Sequence, residues 1–426
     1  MPNWMSCFIY NVAVYIYNRE IFTKRREHSD SEFFSDEQLD DLQTKKLRAL
    51  LHHAKNSSSY YATVLKEIDV QSFTVAMISE LPVLSKEVLR ARTKEICSSK
   101  YNKSELIKSE TSGSTGDAFI FYRDKKWDAS HRAAIWRGMN QHGVEPWERN
   151  LYLWGFVFNP LTRLKLMFLD GLQNRFRIFQ ISNSEIRKKF KKISTVKYIS
   201  GYSSVISMLA YLVEENNLSF SRLKMVKGTS EKIYASYQDR ALRAFGMPII
   251  SEYGAAETGI ISFTCPEGKD HTIRENVIVE SVEGKAVVTN LESFSMPIIR
   301  LELGDYIELG NEECACGRHT QIIQDVIGRV GVTIVGAERE YPSLTLYYIF
   351  KELALSHGVL LSYQGYQSEA ARLTLRIFEK EGEFDPLLVE RVAKKYLPDL
   401  EIFVELGSLD NRDKKVRDFV SLIGSE

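Results

Sequence analysis

The sequence predicts an α/β fold with a parallel sheet, a smaller β-rich part and an α+β unit at the C-terminal end. Three observations predict it. Between residues 150 and 262, short apolar runs alternate with longer helical stretches, which is the pattern of parallel strands joined by crossover helices. Residues 277–290 have the pattern of two strands around a Glu283-Gly284 turn, as in an antiparallel hairpin. Beyond Gly336, strands and a helix follow in a compact α+β order.

Local signals support each element in turn. Residues 35–55 are predicted to form a helix, because Ser35 and Gln38 have the spacing of a capping box and leucines follow as an apolar stripe. Gly246 and Pro248 mark the end of one helix and the start of the next strand. The predicted strands are 151–154, 196–199, 223–226, 249–251, 372–378 and 401–405, and the predicted helices are 185–193, 203–215, 232–245 and 386–396.

Length and charge limit the classes of protein. A chain of 426 residues is too long for one ordinary core, so we expect more than one domain. Lysine plus arginine equals aspartate plus glutamate, at 56 each. Because a nucleic-acid-binding protein usually has a basic excess, this balance excludes nucleic acid from the expected partners.

No stretch of the sequence predicts a transmembrane helix. The apolar residues 8–16 are few and interrupted by Asn11, so we interpret them as a strand or helix that packs on the body of the protein. Docking on a membrane surface is the alternative. Five cysteines in a chain of this length do not make a disulfide scaffold, which favours a reducing, cytoplasmic setting.

A loop rich in glycine and hydroxyl residues precedes the apolar residues 118–122. It consists of Thr111, Ser112, Gly113, Ser114, Thr115 and Gly116. Glycines let backbone N–H groups turn toward an anion and hydroxyls add donors, so the loop suits a polyphosphate. A P-loop would carry a lysine and open a helix, and this loop has no such lysine. A flexible surface loop is the alternative, and His131 could face the loop or be an ordinary surface histidine.

Four further motifs follow this loop along the chain. They are Tyr253-Gly-Ala-Ala-Glu257, Arg300-Leu-Glu-Leu-Gly-Asp305, Ile327-Gly-Arg329 and Lys415-Val-Arg417. With these motifs in order, the chain resembles the adenylate-forming (acyl-CoA synthetase-like) superfamily over residues 35–425. Within that superfamily it is most similar to the phenylacetate-CoA ligase branch and its CapK-type relatives in capsular polysaccharide biosynthesis.

The resemblance implies a division into two domains. Residues 1–329 would form a large adenylating domain that binds ATP, with parallel sheets, helices and a β-rich subdomain at 263–329. Residues 330–426 would form a small, mobile α+β domain.

The resemblance also implies a role for each motif. The loop at 111–116 would hold the β- and γ-phosphates of ATP. Tyr253, with Gly254 and Ala255 beside it, would stack on adenine. Glu257 would hold Mg²⁺, an ion that prefers hard oxygen ligands and substrate phosphates. Asp305 would accept hydrogen bonds from both ribose hydroxyls, since one carboxylate can bridge a cis-diol.

Further residues have less specific signals. Arg329 would lie near the ribose and phosphate and help to hold the acyl-adenylate. Ser230 and Glu231 would line the adenine pocket, although a helix N-cap with glutamate in the first turn is equally natural. Lys415 matches the catalytic lysine, whose point charge offsets the negative charge that builds during attack on the α-phosphate. A solvated basic tail is the alternative for Lys415, because Lys414 replaces the usual glycine.

The hinge between the two implied domains departs from the family pattern. A polar residue usually follows the Gly-Arg pair, and here Val330 and Gly331 follow Arg329. Gly331 could still act as a pivot.

A late cluster of cysteines predicts a zinc site. Cys314 and Cys316 flank a tight turn, and Cys265 begins another turn six residues before His271. Three thiolates and one imidazole make a closed tetrahedral set, which is typical of structural zinc. His319 competes with His271 as the fourth ligand, and unrelated buried cysteines are the alternative.

The expected activity is that of an AMP-forming ligase. A small-molecule carboxylic acid would be adenylated, and the acyl group would pass to an amine or thiol acceptor. The CapK-type resemblance favours a polysaccharide or sugar precursor as a partner, whereas the phenylacetate-type resemblance would mean an aryl acid and CoA. A catalytically degenerate, nucleotide-binding scaffold protein is the alternative from another class, and assembly as a homodimer is left open.

Overall fold

The computed structural model describes residues 2–110, 120–153, 160–178, 183–310, 312–329, 333–338, 340–343, 345–379, 382–407 and 419–423. The chain divides into two compact units. The first comprises Met1–Glu148, Ile250–Leu303 and Ile307–Val326, and the second comprises Arg149–Ile249, Gly304–Tyr306 and Ile327–Glu426. The predicted boundary at residues 329–330 falls near the start of the last segment of the second unit.

Helices and strands alternate along much of the chain. The described helices are α1 (Asn3–Asn18), α2 (Glu20–Asp30), α3 (Asp36–Ser57), α4 (Ser59–Val64), α5 (Lys86–Ala91), α6 (Thr93–Ile96), α7 (Lys125–Gln141), α8 (Pro160–Leu172), α9 (Asn183–Ile193), α10 (Ser203–Glu215), α11 (Ala235–Phe245), α12 (Thr345–His357) and α13 (Pro386–Tyr396). The described strands are β1 (Ile107–Glu110), β2 (Ile120–Arg123), β3 (Asn150–Leu153), β4 (Arg175–Arg177), β5 (Tyr198–Tyr202), β6 (Met225–Thr229), β7 (Ile249–Ala255), β8 (Gly259–Thr264), β9 (Asp270–Thr272), β10 (Val277–Val282), β11 (Lys285–Asn290), β12 (Ile298–Gly310), β13 (Ile322–Arg329), β14 (Thr333–Val335), β15 (Glu340–Pro342), β16 (Tyr363–Glu369), β17 (Arg372–Ile377), β18 (Glu401–Leu406) and β19 (Phe419–Ser421).

The predicted capping box starts α3. The Ser35 hydroxyl accepts a hydrogen bond from the Gln38 N–H at 3.3 Å, and the Gln38 side chain accepts one from the Ser35 N–H at 3.0 Å. The leucine stripe then faces inward: Leu47, Leu50 and Leu51 are fully buried in the main core of the first unit. This helix therefore forms as its sequence predicts.

In the first unit, the main-sheet strands lie in the order β10-β11-β12-β13-β9-β8-β7. β10 and β11 form the predicted antiparallel hairpin. Its turn residues Glu283 and Gly284 have φ angles of +51° and +80°, the left-handed conformation that a tight hairpin turn requires. Antiparallel pairs also join β13 to β9, β9 to β8 and β8 to β7. This part of the sheet carries the Tyr253–Glu257 segment and is adjacent in sequence to the cysteine-bearing loops.

The N-terminal apolar stretch is a helix that packs on one side only. Tyr10 and Val14 of α1 contact a small core that contains Trp136. Trp4 and Phe8 point away from that core and are 73% and 66% exposed. Packing on the body is thus confirmed for one face of α1. Among the helices that the structure describes, none is both long and apolar enough to cross a membrane.

In the second unit, four strands lie in the order β6-β5-β3-β4, and each neighbouring pair is parallel. Apolar residues of α9, α10 and α11 pack with those of β3, β5 and β6 in one core. Parallel strands with crossover helices were predicted, and both are confirmed. The sequence analysis did not identify α8 or β4. β4 was missed because it is only three residues long and two of those residues, Arg175 and Arg177, are charged.

The C-terminal part of the second unit contains the expected α+β structure. Four strands lie in the order β18-β17-β16-β19, and α12 and α13 share one core with them. The strands predicted at 372–378 and 401–405 and the helix predicted at 386–396 correspond to β17, β18 and α13. The helix α12 and the strand β16 were not predicted.

A buried polar network joins this C-terminal part to α11 within the second unit. The Arg240 guanidinium donates hydrogen bonds to the Ser207 hydroxyl at 2.8 Å and to the Glu379 carboxylate at 3.0 Å. Glu379 also accepts hydrogen bonds from the N–H and the hydroxyl of Ser362, at 3.1 and 2.9 Å. The hydroxyls of Ser362 and Ser236 are 2.7 Å apart. The side chains of Arg240 and Glu379 are largely buried, but each also makes hydrogen bonds to serine residues. The buried charge pair is therefore compatible with a stable fold.

Candidate active site and metal centre

The segment predicted to bind adenine and Mg²⁺ forms the tip of the β7–β8 hairpin. Tyr253, Gly254 and Ala255 end β7, and Glu257 lies in the turn before β8. The two strands are antiparallel, with a register shift after Tyr253. No side chain fits at Gly254, because a Cβ there would lie 2.4 Å from the carbonyl oxygen of Gly259. The strand therefore extends further than the predicted 249–251 and holds the motif in regular structure.

The turn that carries Glu257 is held from two sides. The Ile260 N–H donates a hydrogen bond to Nδ1 of His131 at 3.0 Å. The Thr258 carbonyl accepts a hydrogen bond from Nδ2 of Asn290, a buried residue, at 2.9 Å. Glu257 itself is 7% exposed. A carboxylate on a turn fixed in this way is well suited to hold a metal ion in one place.

His131 lies on α7 and is partly buried. Burial, reinforced by the positive charge of Arg123, lowers the pKa of His131 to about 4. The imidazole is therefore neutral at pH 7, and since Nδ1 accepts a hydrogen bond, the proton is on Nε2. His131 thus contacts the turn that carries Glu257, and whether it also faces the loop at 111–116 stays a prediction.

Gly259 makes this contact possible. Its φ angle is +75°, which favours glycine, and a Cβ at this position would lie 3.2 Å from Nδ1 of His131. Any larger residue would be strained and would also push against the imidazole.

Ser230 and Glu231 follow β6 in the second unit. Ser230 has a φ angle of +65°, and the Glu231 carbonyl accepts a hydrogen bond from the Ser203 hydroxyl at 3.3 Å. The next helix, α11, begins later, at Ala235, with Tyr234 as its N-cap residue. The alternative that this segment caps a helix is therefore wrong, and a role at the adenine pocket stays a prediction.

Asp305 lies within β12, and Arg329 is the last residue of β13. Arg300, which opens the motif containing Asp305, has a φ angle of +52°, unusual for arginine. Its buried guanidinium donates hydrogen bonds to both carboxylate oxygens of Glu280, at 2.9 and 3.0 Å, and to backbone carbonyls including that of Ser79. These bonds stabilise the strained residue, so Arg300 anchors the motif, a role that the sequence analysis did not assign.

Several predicted residues lie outside the part of the chain that the structure describes. They are Thr111, Ser112, Gly113, Ser114, Thr115 and Gly116 of the phosphate loop, Val330 and Gly331 of the hinge, and Lys414 and Lys415. Their roles stay predictions.

Four potential metal ligands come together in the first unit. The ligand atoms of Cys265, His271, Cys314 and Cys316 all lie within 4.8 Å of one another. The Sγ atoms of Cys265 and Cys314 are 3.8 Å apart, and Sγ of Cys316 is 3.3 Å from Nε2 of His271. His319 is exposed and is not in the cluster. The structure thus places His271, rather than His319, beside the three cysteines.

Local structure explains this geometry. Cys265 directly follows β8 and begins a turn in which the Gly268 N–H donates a hydrogen bond to the Cys265 carbonyl at 2.9 Å. The Gly317 N–H donates to the Cys314 carbonyl at 3.0 Å and closes the second turn. His271 lies on β9 between them. Two backbone turns and one strand therefore present the four ligand atoms.

The chemistry of the cluster fits zinc. Burial raises the pKa of Cys265 to about 12, so a nearby cation is needed to keep that sulfur as a thiolate. Nδ1 of His271 is 3.2 Å from the Thr320 carbonyl, which can accept a hydrogen bond from a protonated Nδ1 and so leave Nε2 free to bind metal. Three thiolates with one imidazole are a ligand set that Zn²⁺ prefers, and four protein ligands make a closed, structural site.

The comparisons with known proteins define the class of this fold. The chain aligns with the solved structure of 2-hydroxyisobutyryl-CoA ligase in the postadenylation state, in complex with R3-HIB-AMP, with a TM-score of 0.70 and 17% identity over 92% of both chains. The same ligase with 2-HIB-AMP and CoA in the thioesterification state gives a TM-score of 0.60 and 18% identity, over 92% of this chain and 91% of that one. The fold is that of an adenylate-forming ligase. The predicted fold class is confirmed, and the predicted enzyme class, an AMP-forming carboxylate ligase, agrees with it.

One curated protein narrows the resemblance further. The chain is 26% identical to protein CapK of Staphylococcus aureus over 334 residues, which cover 74% of this chain and 73% of CapK. The predicted resemblance to the CapK-type branch of the superfamily is thereby confirmed. No family model matches the chain.

Proposed function

We propose that this protein is an ATP-dependent, AMP-forming ligase that adenylates a carboxylic acid and passes the acyl group to an amine or thiol acceptor. The observation that carries the proposal is Glu257, a buried carboxylate on a turn fixed by His131 and Asn290, at the position where the resembling enzymes hold Mg²⁺. The adenylate-forming fold supports the same activity.

The proposed reaction has two steps. A carboxylate oxygen of the acid attacks the α-phosphorus of ATP, and the bond to the β-phosphate breaks to release pyrophosphate. A thiol or amine then attacks the carbonyl carbon and loses its proton, and AMP leaves. Mg²⁺ held at Glu257 would neutralise phosphate charge during the first step.

Protein side chains would supply positioning and charge. Tyr253 would stack on adenine, and Asp305 would accept hydrogen bonds from the ribose hydroxyls. The loop at 111–116 would bind the β- and γ-phosphates, while Arg329 and Lys415 would offset the charge that develops at the α-phosphate. Fixed donors and cations of this kind lower the barrier most when they are in place before the reaction.

We place the activity in the biosynthesis of cell-surface or capsular polysaccharide, with a sugar or polysaccharide precursor as acceptor. The similarity to CapK supports this choice. The alternatives are an aryl-CoA ligase that uses phenylacetate-like acids, and a nucleotide-binding scaffold protein without catalysis.

ATP–pyrophosphate exchange across a panel of aryl acids, sugar acids and amino acids tests the proposal. We expect Mg²⁺-dependent exchange with at least one sugar acid or amino acid. In Glu257→Gln, the rate of exchange should fall about a hundredfold or more. Glu67→Gln, which changes an exposed carboxylate, is the matched control and should keep full exchange.

Three outcomes would contradict parts of the proposal. Nucleotide binding without exchange for any acid would favour the scaffold protein. Exchange confined to phenylacetate-like acids would favour the aryl-CoA ligase. Full exchange in Glu257→Gln would remove Glu257 from the metal site.

We also propose that Cys265, His271, Cys314 and Cys316 hold one structural Zn²⁺. The closeness of the four ligand atoms and the hydrogen-bond acceptor behind His271 support it. Zinc would tie the two turns to β9, and four protein ligands would leave no position open for a substrate.

A further inference from the structure

Two buried hydrogen-bond donors lie unpaired at the turn that carries Glu257. They are the hydroxyl of Thr258 and the indole N–H of Trp127, and these residues are 2% and 1% exposed. Among the residues that the structure describes, neither Oγ1 of Thr258 nor Nε1 of Trp127 has a hydrogen-bond partner. Nearly all buried polar atoms in native proteins are paired, because an unpaired one costs free energy. Two such donors at one turn therefore indicate that something outside the chain pairs with them.

Both donors lie beside Gly259. Thr258 directly precedes this glycine in the chain. Trp127 lies on α7 four residues before His131, so the two rings share one face of the helix. A Cβ built at Gly259 would be 3.5 Å from Nε1 of Trp127 and 3.2 Å from Nδ1 of His131, which shows that this face packs on the turn. The unpaired indole N–H thus reaches a residue only two positions after Glu257.

The surrounding contacts hold both donors in place. The Trp127 ring stacks on the Phe121 ring, with the ring centroids 5.7 Å apart. The backbone N–H of Trp127 donates a hydrogen bond to the Asp124 carboxylate, which caps α7, at 3.0 Å. On the other side, Asn290 donates to the Thr258 carbonyl. Donors fixed in this way suit ligand binding, because little further ordering is needed when the ligand arrives.

The chemistry of the three neighbouring groups defines the ligand. An indole N–H is a donor only, so its partner is an acceptor and not a metal ion. The carboxylate of Glu257 would repel an anion unless a cation lay between them. A ligand that satisfies all three groups therefore carries oxyanions together with a divalent cation. A polyphosphate with bound Mg²⁺ has this composition, since Mg²⁺ is commonly held by a carboxylate and by substrate phosphates.

We propose that the Thr258 hydroxyl and the Trp127 indole N–H donate hydrogen bonds to phosphate oxygens of Mg²⁺-bound ATP. This inference rests on the proposed function, because it requires the chain to bind ATP, and it adds two donors to the groups that hold the nucleotide. The chain alone leaves both donors unpaired, so binding relieves the cost of burying them. Proteins retain destabilising groups of this kind where a function needs them.

Binding of Mg·ATP to the full chain, measured by isothermal titration calorimetry, tests the proposal together with thermal unfolding. Thr258→Val removes the hydroxyl and keeps the shape of the side chain. We expect it to weaken Mg·ATP binding about tenfold or more, since hydrogen bonds to charged oxygens are strong. Without nucleotide, its unfolding temperature should be unchanged or higher, because an unpaired buried hydroxyl is lost. Thr258→Ser keeps a hydroxyl and should bind Mg·ATP nearly as the unchanged protein does.

Matched controls remove groups that have partners within the chain. Thr44→Val deletes a hydroxyl that accepts a hydrogen bond from the Val75 N–H at 3.2 Å. Trp136→Phe deletes an indole N–H that donates to the Glu145 carboxylate at 2.7 Å. Both variants should unfold at a lower temperature and bind Mg·ATP as the unchanged protein does. Trp127→Phe should also unfold at a lower temperature, because the smaller ring leaves a cavity, but it should in addition weaken Mg·ATP binding.

Two results would overturn the proposal. One is equal affinity for Mg·ATP in Thr258→Val and the unchanged protein, as expected if a buried water pairs with the hydroxyl. The other is a fall in the unfolding temperature of nucleotide-free Thr258→Val as large as that of Thr44→Val, since the hydroxyl would then be bonded within the chain.

ATP–pyrophosphate exchange separates this inference from the proposed activity. If no acid supports exchange but Mg·ATP binding still depends on Thr258, the activity fails and the inference stands. If the unchanged protein catalyses exchange and Thr258→Val binds Mg·ATP with full affinity, the inference fails and the activity stands.

Discussion

Nδ1 of His131 accepts a hydrogen bond from the backbone N–H of Ile260 at 3.0 Å. This bond ties the helix α7 to the first residues of β8, directly after the turn that carries Glu257. The contact depends on a neutral imidazole and on the missing side chain at Gly259. The position of a candidate metal ligand is thus set by a residue more than a hundred positions earlier in the chain.

Replacing Gly259 by alanine should disturb this contact. A Cβ would adopt an unfavourable φ of +75° and lie 3.2 Å from Nδ1 of His131. We expect Gly259→Ala to lower the free energy of unfolding by about 1–3 kcal/mol, measured by urea denaturation. Gly246→Ala has the same backbone penalty, at φ +72°, with open space around the Cβ. If the two variants lose equal stability, the contact with His131 contributes nothing.

One buried histidine, His28, and one partly buried histidine, His131, make stability depend on pH. Burial first, and the positive charge of Arg137 second, lower the pKa of His28 to about 3, and the pKa of His131 is about 4. In the unfolded chain both pKa values are near 6.5. Between those limits the unfolded state binds protons that the folded state does not, so stability falls as the pH drops below 6.5, by up to ~1.4 kcal/mol per pH unit for each histidine.

Urea unfolding at several pH values between 7 and 5 measures this dependence. His28→Gln should reduce the slope of the free energy of unfolding against pH by the contribution of one proton. This expectation does not depend on how the substitution changes stability at pH 7. His52→Gln, at an exposed position, should leave the slope unchanged. If His28→Gln and the unchanged protein have the same slope, His28 does not bind more protons in the unfolded state than in the folded state over this pH range.

The proposed zinc site predicts that variants of its cysteines lose both zinc and stability. Purified protein should contain about one equivalent of zinc, and Cys314→Ser or Cys316→Ser should lose it and unfold at lower temperature. Cys97→Ser, outside the cluster, should keep both the metal and the stability. Less than about half an equivalent in the unchanged protein, by metal analysis, would count against a structural zinc site.

Replacing only one partner of the ion pair between Arg240 and Glu379 should lower the free energy of unfolding substantially. Glu379→Ala leaves a buried guanidinium without its charged partner, and we expect a loss of about 3–5 kcal/mol in urea denaturation. Replacing both residues, in Arg240→Met/Glu379→Leu, should restore much of that loss. The exposed pair of Arg243 and Glu214 is the control, since Glu214→Ala should cost less than about 1 kcal/mol. Additive single effects in a double-mutant cycle would contradict a coupled pair.

Much of the fold was predictable because its signals are local. The capping box at Ser35, the Glu283-Gly284 turn and the alternation of strands and helices each depend on residues close in sequence. β4 was missed because tertiary pairing with β3, and not an apolar run, defines it.

The candidate site was predictable only in part, because several of its contacts also depend on tertiary packing. The order of the motifs indicated Glu257, and the spacing of the cysteines indicated Cys265, Cys314 and Cys316 with either His271 or His319. The choice of His271 over His319 depends on where β9 lies, and the contacts of His131 and Arg300 join residues far apart in the chain. Their roles follow from packing, which residue spacing does not encode.

The proposed zinc site would affect how much folded protein a cell contains. Cys265 and Cys314 are 49 positions apart, so a metal that joins them closes a loop that includes β9, β10, β11 and β12. Closing a loop of that length removes conformations from the unfolded chain, and a metal that binds only the folded chain adds its binding energy to folding. The steady-state level of intact protein would then follow zinc supply, and scarcity would expose the chain to proteolysis before it affected the chemistry of the active site.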